Sequence, residues 1–312
     1  MKLLITGGAG YIGSVVAHQL LQEGHERAVP EGCRFVGVDL LDAGGVSDAL
    51  AEGFDGVLHF AALSLVAESV EQPERYYRNN VCGTLNLLEA MSETSVPRLV
   101  FSSTAAVYGE PEEVPIPETS PTLPTNPYGT SKLAVDRMIG AVAAARGLMA
   151  TSLRYFNVAG ASGPLGEDHH PETHLIPLVL QAAAGTRDSV KIFGTDYPTR
   201  DGTPVRDYIH VEDLGRAHLL ALEAARPGEH RVYNLGNGAG FSVREVIEAA
   251  RRVTGCPIEA VEAPRRSGDP AVLVASSDKI RDELGWKPER PEPEAMISDA
   301  WEWMQTHPNG YE

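Results

Sequence analysis

Tyr128 and Lys132 stand four residues apart in Pro127-Tyr128-Gly129-Thr130-Ser131-Lys132, a spacing that puts two side chains on one face of a helix. A tyrosine hydroxyl, with an ordinary pKa of about 10, needs a downward shift of roughly three units, or about 4 kcal/mol, to act as a base near neutral pH. A lysine ammonium about 5 Å away supplies on the order of 3 kcal/mol at an effective dielectric of about 20. A second positive charge would supply the remainder. Phe101-Ser102-Ser103-Thr104 ends a predicted strand upstream, and Thr104 can offer its hydroxyl to the same substrate oxygen. Tyr-x-x-x-Lys alone is commonly two surface residues, so its weight here comes from a second motif.

That motif is Thr6-Gly7-Gly8-Ala9-Gly10-Tyr11-Ile12-Gly13, which joins a predicted strand, Lys2–Thr6, to a predicted helix, Tyr11–Glu23, closed by Gly24. Gly7 can make the tight turn, Gly10 can let the backbone approach a pyrophosphate, and Gly13 can let the helix pack close to the strand. The free N–H groups and the positive helix end would then face the phosphates. This is the pattern of a dinucleotide-binding loop, and an oxidised nicotinamide would be both the hydride acceptor and the second positive charge. The acid expected about 20 residues after the loop, at the end of the second strand, is harder to place. Glu26–Gly32 has no strand character, which leaves Asp39, after Phe35-Val36-Gly37-Val38, as the candidate by spacing.

These side chains need a scaffold. Arg34–Val38, Val57–Phe60, Leu99–Ser103 and Thr151–Tyr155 read as further strands, and Pro73–Met91 and Tyr128–Arg146 as helices. The βα alternation is that of a parallel sheet with crossover helices. Past Val158 the rhythm loosens into a Gly/His/Pro-rich loop over Gly163–Thr173, a helix near Leu175–Ala184 and a short strand around Lys191–Phe193. Ser242 and Glu245 form an S-x-x-E capping box opening a helix through Arg252. Met296, Ala300, Trp301 and Met304, near helical spacing, predict a docked C-terminal helix. A boundary near Val158 divides a cofactor domain, residues 1–158, from a smaller α/β domain, residues 159–312, some of whose segments return to the first.

The length of 312 residues suits two domains or one large α/β unit. Lys and Arg number 26 against 43 Asp and Glu, a net charge of −17. Such a field repels nucleic acid and anionic lipid, and no Lys/Arg-rich run counters it, so neither nucleic acid nor membrane is expected as a partner. An anionic substrate must be met by a few local arginines. Cys33, Cys82 and Cys256 form no CxxC pair and read as buried free thiols of a reducing compartment. No run approaches the roughly 18 apolar residues of a membrane span, and Gly-rich sequence starts where a signal peptide would still be apolar. A soluble cytoplasmic protein is the expectation.

TGGAGYIG, HFAA, NNVCGT, FSST followed by AAVYG, PYGTSK, LRYFNVAGA, VRDYIHVEDL, YNLG, APRRSGD and the closing WEWMQTHPNGY together resemble the UDP-glucose 4-epimerases of the extended short-chain dehydrogenase/reductase superfamily, over nearly the whole chain. The resemblance implies a Rossmann-type doubly wound parallel sheet with a smaller C-terminal α/β substrate domain, NAD as cofactor, a UDP-sugar as substrate, and a homodimer. Tyr128 resembles the catalytic tyrosine, Lys132 the lysine that holds the nicotinamide ribose, and Thr104 the Ser/Thr hydroxyl. Gly7, Gly10, Gly13, the Tyr11 and Ile12 backbone, Asp39, Leu40, Phe60, Ala61 and Asn79 resemble NAD contacts, with Tyr155 and Phe156 bordering the nicotinamide end. Asn157, His174, Leu175, Lys191, Phe193, Arg206, Arg266 and Asp269 resemble the residues around the uridine diphosphate. Arg206 and Arg266 would neutralise the diphosphate, for which a guanidinium fork suits better than an ammonium. The implied reaction oxidises C4 of UDP-galactose or UDP-glucose, turns the 4-keto sugar over, and returns the hydride to its other face.

The sequence departs from that family in places. Phe35–Asp39 matches the family's third strand, whose terminal Asp contacts adenine, so the second strand is missing between Glu26 and Arg27. Two readings stay open: the polypeptide carries a further segment there, or the site is rearranged with Asp39 as ribose acid. Ser64 stands where many relatives have Lys, and His174 where others have Asn. Ala105-Ala106 replaces the Asp-Glu pair of the related sugar-nucleotide 4,6-dehydratases, which favours epimerisation. Leu273 falls where residue bulk tunes acceptance of N-acetylated sugars, so UDP-N-acetylhexosamines and UDP-pentoses are alternative substrates, and a non-catalytic sugar-nucleotide sensor is the alternative from another class. His169, His170 and His174 read as part of a polar loop, and no metal is expected.

Overall fold

The structure, a computed structural model, describes residues 1–22, 34–266 and 269–311. Its first half runs β1 (Leu3–Thr6), α1 (Tyr11–Gln22), α2 (Ala43–Leu50), β2 (Gly56–His59), α3 (Val66–Glu71), α4 (Pro73–Tyr76), a π-helical stretch over Tyr77–Cys82, α5 (Gly83–Glu93), β3 (Arg98–Thr104), α6 (Pro127–Arg146) and β4 (Met149–Tyr155). There follow β5 (Asn157–Ala159), α7 (Leu175–Ala183), β6 (Val190–Phe193), β7 (Val205–Arg206), β8 (Tyr208–His210), α8 (Val211–Glu223) and β9 (His230–Leu235). The chain ends with β10 (Phe241–Ser242), α9 (Val243–Thr254), β11 (Ala260–Ala263), β12 (Val272–Leu273), α10 (Asp278–Leu284) and α11 (Pro293–Thr306).

Side chains on a strand alternate between faces, and the sequence of β2 to β4 is apolar on both, so this sheet must be covered twice. It has the order β1-β2-β3-β4-β9, every pair parallel. Leu58, Val100 and Leu153 bury against Val16 and Leu20 of α1 and Leu214 and Leu222 of α8. Their neighbours Val57, Leu99, Phe101 and Ala150 bury against Leu50 of α2, Leu87 and Met91 of α5, and Val135 and Ile139 of α6. The doubly wound expectation is met, with α8 and β9 returning from the later half. In that half, α7, α9 and α11 close over Ile176, Val179, Ile247, Met296 and Ile297. Met296 is fully buried and Ala300, Trp301 and Met304 partly so, as the helical spacing predicted. The capping box at Ser242 is formed in both directions.

Several expectations need correction. Arg34–Val38 is no strand: it is extended but unpaired, with Phe35 70% exposed. A strand needs a ladder partner, and among the described residues β1 is the edge of the sheet on that side. The helix expected over Pro73–Met91 is present, running without a gap to Glu93, with a π-helical stretch over Tyr77–Cys82 in its middle. Cys82, at the end of that stretch, is exposed and Cys256 half-buried, so these free thiols are not core residues. Cys33, Glu23, Gly24 and the Glu26–Gly32 segment lie outside the described residues.

His59, the last residue of β2, is fully enclosed, with Nδ1 2.6 Å from Thr6 Oγ1 and Nε2 2.8 Å from Thr84 Oγ1. Burial first, and then the charge of Lys132, lower its pKa to about 3; burial likewise takes His218 to about 4. The unfolded chain binds these protons near pH 6.5 and the folded chain does not, so stability is present above that pH and lost as pH falls. Two such sites predict a loss of roughly 2.7 kcal/mol per pH unit below about pH 5.5. Denaturant titrations across that range should show it, and His59→Asn should remove about half of the slope.

Candidate active site

The glycine loop caps the carboxyl end of β1 as its spacing predicted. Gly7 has φ +70°, and a Cβ there would lie 2.8 Å from the Ala61 amide nitrogen. A Cβ on Gly13 would overlap the carbonyl oxygen of Gly7. Both glycines are therefore required by close approach of backbone to backbone. Gly10 N donates to Gly7 O at 3.0 Å and Gly10 O accepts from Ser14 N at 2.9 Å, which leaves the Tyr11, Ile12 and Gly13 amides as the unbonded first-turn donors of α1. No acidic side chain occupies that turn. Such a donor set at a helix N-terminus fits a pyrophosphate, and these residues therefore fit NAD. Phe60 and Ala61 continue from β2 and bond back to Thr6, Phe60 N to its carbonyl at 3.1 Å and Ala61 N to its Oγ1 at 3.3 Å.

Asn79 lines a cleft of about 480 Å³ together with Leu41, Leu63 and Arg78. Its neighbour Asn80, buried, is bonded to both backbone groups of Leu63 and to Ser131 Oγ. Leu40 meets α5, its carbonyl accepting from Asn86 Nδ2 at 2.8 Å. Asp39 does not end a strand as expected. It sits exposed in a turn, its carboxylate accepting from Leu41 N at 2.9 Å, because the stretch before it has no strand to pair with.

Thr104 ends β3 and Tyr128 opens α6, where Asn126 caps the helix through Gly129 N at 2.9 Å and Pro127 occupies the first turn. Thr104 Oγ1 accepts from Ala106 N at 3.2 Å, and its hydroxyl acts on Tyr128. Tyr76 packs edge-on against the Tyr128 ring, centroids 6.5 Å apart at 83°. Lys132 is buried one turn further on, donating from Nζ to the Ser102 carbonyl at 2.8 Å and lying 4.7 Å from the Phe101 ring centroid. The electrostatics differ from the expectation. Burial raises the Tyr128 pKa, with the Thr104 hydrogen bond working against it. Burial brings Lys132 down to about 7, with the Asp136 carboxylate opposing. One of the three ammonium donors goes to the Ser102 carbonyl, and burial is the largest influence on the phenol. Tyr155 is tied by its hydroxyl to Ser102 Oγ, and burial raises its pKa.

The later half brings Arg206 of β7 onto Asp269 as an ion pair, and Arg266 over the Phe193 ring at 4.0 Å. Asn157 Nδ2 donates to the Asp207 carbonyl at 2.9 Å. Leu273 pairs with Arg206 across β12 and β7. Lys191 is exposed on β6, and Leu175 begins α7 with His174 at its N-cap. His174 holds Glu167 and Glu172; burial opposes its charge, yet those two carboxylates push its pKa up to about 10.

Ser102, Asn80 and Asp207 were not singled out from the sequence. Asp207 is fully buried and its carboxylate accepts from Asn237 N at 2.8 Å, Gly238 N at 3.1 Å and Ala275 N at 3.0 Å. Its place beside Arg206 in VRDYIHVEDL was the available signal.

The NAD dependent epimerase/dehydratase family model matches residues 3–236. A UDP-glucose 4-epimerase of Streptomyces lividans is 57% identical, covering 100% of this chain and 98% of that protein. One of Corynebacterium glutamicum is 56% identical over 96% and 95%. The crystal structure of UDP-glucose 4-epimerase from Bifidobacterium longum in complex with NAD+ and UDP superposes with TM-score 0.93 at 38% identity, over 100% of both chains. The Streptomyces alignment spans 325 positions against the 312 residues here, so at least 13 positions of that relative have no counterpart. The glycine loop, the Tyr/Lys pair at the carboxyl end of a parallel sheet and these matches together place the chain in the NAD dependent epimerase/dehydratase family, with UDP-glucose 4-epimerases as its relatives.

Proposed function

We propose that the chain interconverts UDP-galactose and UDP-glucose by NAD-dependent 4-epimerisation through a 4-keto sugar. The observation that carries the reading is the placement of Thr104 at the carboxyl end of β3 with Tyr128 in the first turn of α6 and Lys132 one helical turn away. Ligands in open parallel sheets bind at that end. NAD, when bound, would supply a hydride acceptor for C4 and, in its oxidised form, a positive charge. The Gly7–Gly13 loop and first-turn amides of α1 hold its pyrophosphate, Phe60, Ala61, Asn79 and Leu40 flank it, and Lys132 binds the ribose next to the nicotinamide. Tyr128 Oη takes the proton of the 4-hydroxyl and gives it back, and Thr104 Oγ1 orients that oxygen. Because burial favours the protonated phenol, Tyr128 starts as a donor and becomes a base only as positive charge enters the site.

Arg206, Arg266, Asn157, Leu175, Phe193 and Asp269 grip the uridine diphosphate. A firm hold on the nucleotide with few contacts to the hexose lets the sugar turn while its anchor stays put. The division near Val158 serves this arrangement, with cofactor contacts mostly before it and nucleotide contacts mostly after. We also propose a cytoplasmic homodimer. Exposed Val66, Val70, Tyr77 and Leu85 on consecutive helical segments supply apolar surface for a second copy, and the exposed free thiol of Cys82 suits a reducing compartment.

Turnover of UDP-galactose to UDP-glucose by the purified chain is the test. Binding of UDP with no turnover under any NAD supplementation would move the reading to a non-catalytic sensor. Arg266→Ala should raise KM for UDP-galactose about ten- to hundred-fold, the value of a charge-assisted contact of about 1.5–3 kcal/mol, with kcat nearly unchanged. A fall in kcat with unchanged KM would remove Arg266 from the nucleotide grip.

A further inference from the structure

The loop between β5 and α7 carries a second constellation, which shares only His174 with the residues that resemble the nucleotide site. Glu167, His169, Glu172 and His174 each bring one ligating atom to a common point, all four atoms lying within 4.8 Å of one another. His174 Nδ1 is 2.7 Å from Glu167 Oε1 and 3.0 Å from Glu172 Oε1, and His169 Nδ1 is 2.9 Å from Glu167 Oε1. A tetrahedral zinc with bonds of about 2.0–2.1 Å holds its ligand atoms roughly 3.3 Å apart. The four donors therefore need shifts of an ångström or so to become a coordination shell. The spacing Glu-x-His-x-x-Glu-x-His is two i, i+2 pairs, which extended backbone presents on one side.

We propose that these four residues form a His2Glu2 binding site for a zinc-class divalent transition metal, which clamps the loop leading into α7. Two considerations favour a metal over two ordinary ion pairs. The Glu167 and Glu172 side chains are nearly buried, 8% and 7% exposed, and two buried carboxylates demand compensating positive charge. Protons could supply it only by charging both imidazoles, whose ring centroids are 5.3 Å apart, whereas one dication supplies the same charge with both rings neutral. The mix of imidazole and carboxylate suits zinc, cobalt or nickel better than all-oxygen calcium or magnesium sites. Outer contacts are present as well: Glu172 Oε1 accepts from the Thr173 and His174 amides at 2.6 and 2.7 Å, which fixes the carboxylate. His169 and His174, 41% and 44% exposed, leave an entry path. His170 stands outside the quartet, 3.5 Å from Asp168. The sequence alone gave no such grouping, because a His-rich polar stretch does not reveal which side chains converge.

The clamp would act on the neighbourhood of the cofactor loop. Tyr11 of α1 donates to the Gly160 carbonyl at 2.6 Å, and Glu167 and Glu172 are close enough to disfavour its ionisation. The full chain, treated with a chelator and then dialysed against zinc, is expected to retain one zinc per chain by elemental mass spectrometry and to melt at a higher temperature than the chelated form. Cobalt in its place should give the visible absorption of a tetrahedral complex. His169→Gln and Glu167→Gln should each weaken zinc retention by more than about a hundredfold, since even loss of an outer-shell partner costs about 10- to 100-fold. His170→Ala, in the same loop, should leave retention unchanged. No zinc on the wild-type chain, or equal retention by His169→Gln, would overturn the proposal. Should Glu167→Gln fail to fold, the half-exposed His169→Gln decides alone.

Discussion

Tyr128→Phe is expected to lower kcat for UDP-galactose by a factor of about 10² to 10⁴, the ordinary worth of a positioned acid–base group, with NAD binding preserved. The substitution removes one oxygen, the one on which Thr104 acts against burial. It keeps the ring, its edge-on contact with Tyr76 and the capped start of α6, so the scaffold that holds Lys132 on Ser102 is untouched. The result separates proton transfer from cofactor binding when turnover and released NAD are measured on the same preparation. Turnover within about threefold of wild type would show that another group takes the proton, and loss of NAD together with activity would make Tyr128 a binding residue.

Asp207→Ala should cost on the order of 4 kcal/mol, roughly a thousandfold in the folding equilibrium, because it strands buried amides at about 1–3 kcal/mol each with incomplete additivity. The three donors come from two segments, Asn237–Gly238 and Ala275, and all converge on one carboxylate. Burial raises the pKa of this group and the amide hydrogen bonds oppose the rise, which is the balance of a charge kept in the interior by backbone donors. The Asp207 carbonyl also accepts from Asn157, and Arg206 precedes it in the chain, so the nucleotide grip should loosen with the fold. Urea midpoints measure the loss, and Asp207→Asn, retaining one carbonyl oxygen, should fall between. A change under about 1 kcal/mol would mean that water replaces the carboxylate.

The parts of the molecule that depend on local pattern were readable from the sequence. β2, β3 and β4 follow from apolar runs between turns, α6 was expected over Tyr128–Arg146, and α9 follows from a capping box that closes as predicted, with Glu245 N donating to Ser242 Oγ at 3.1 Å. Glycine positions set by backbone overlap, Gly7 and Gly13, were equally plain. Features that depend on what a side chain meets across the fold were not. Arg34–Val38 has a strand's composition but, among the described residues, no strand to pair with. Lys132 was read as a charge for Tyr128, but its burial and its bond to the Ser102 carbonyl were not readable from the sequence. Asp207 and the Glu167–His174 quartet acquire meaning only from convergence of distant or looping backbone, to which periodicity is blind.

The seat of β9 beside β4 reaches beyond topology. Leu214, Leu222 and Tyr233 complete the same apolar layer as Leu58 and Val100, so the nucleotide half of the chain furnishes part of the floor beneath the dinucleotide loop. Chimeras with a relative joined at Val158 would combine two surfaces that never adapted to each other, and a graft meant to retarget the sugar would have to carry residues 211–235 along with the recipient's front half.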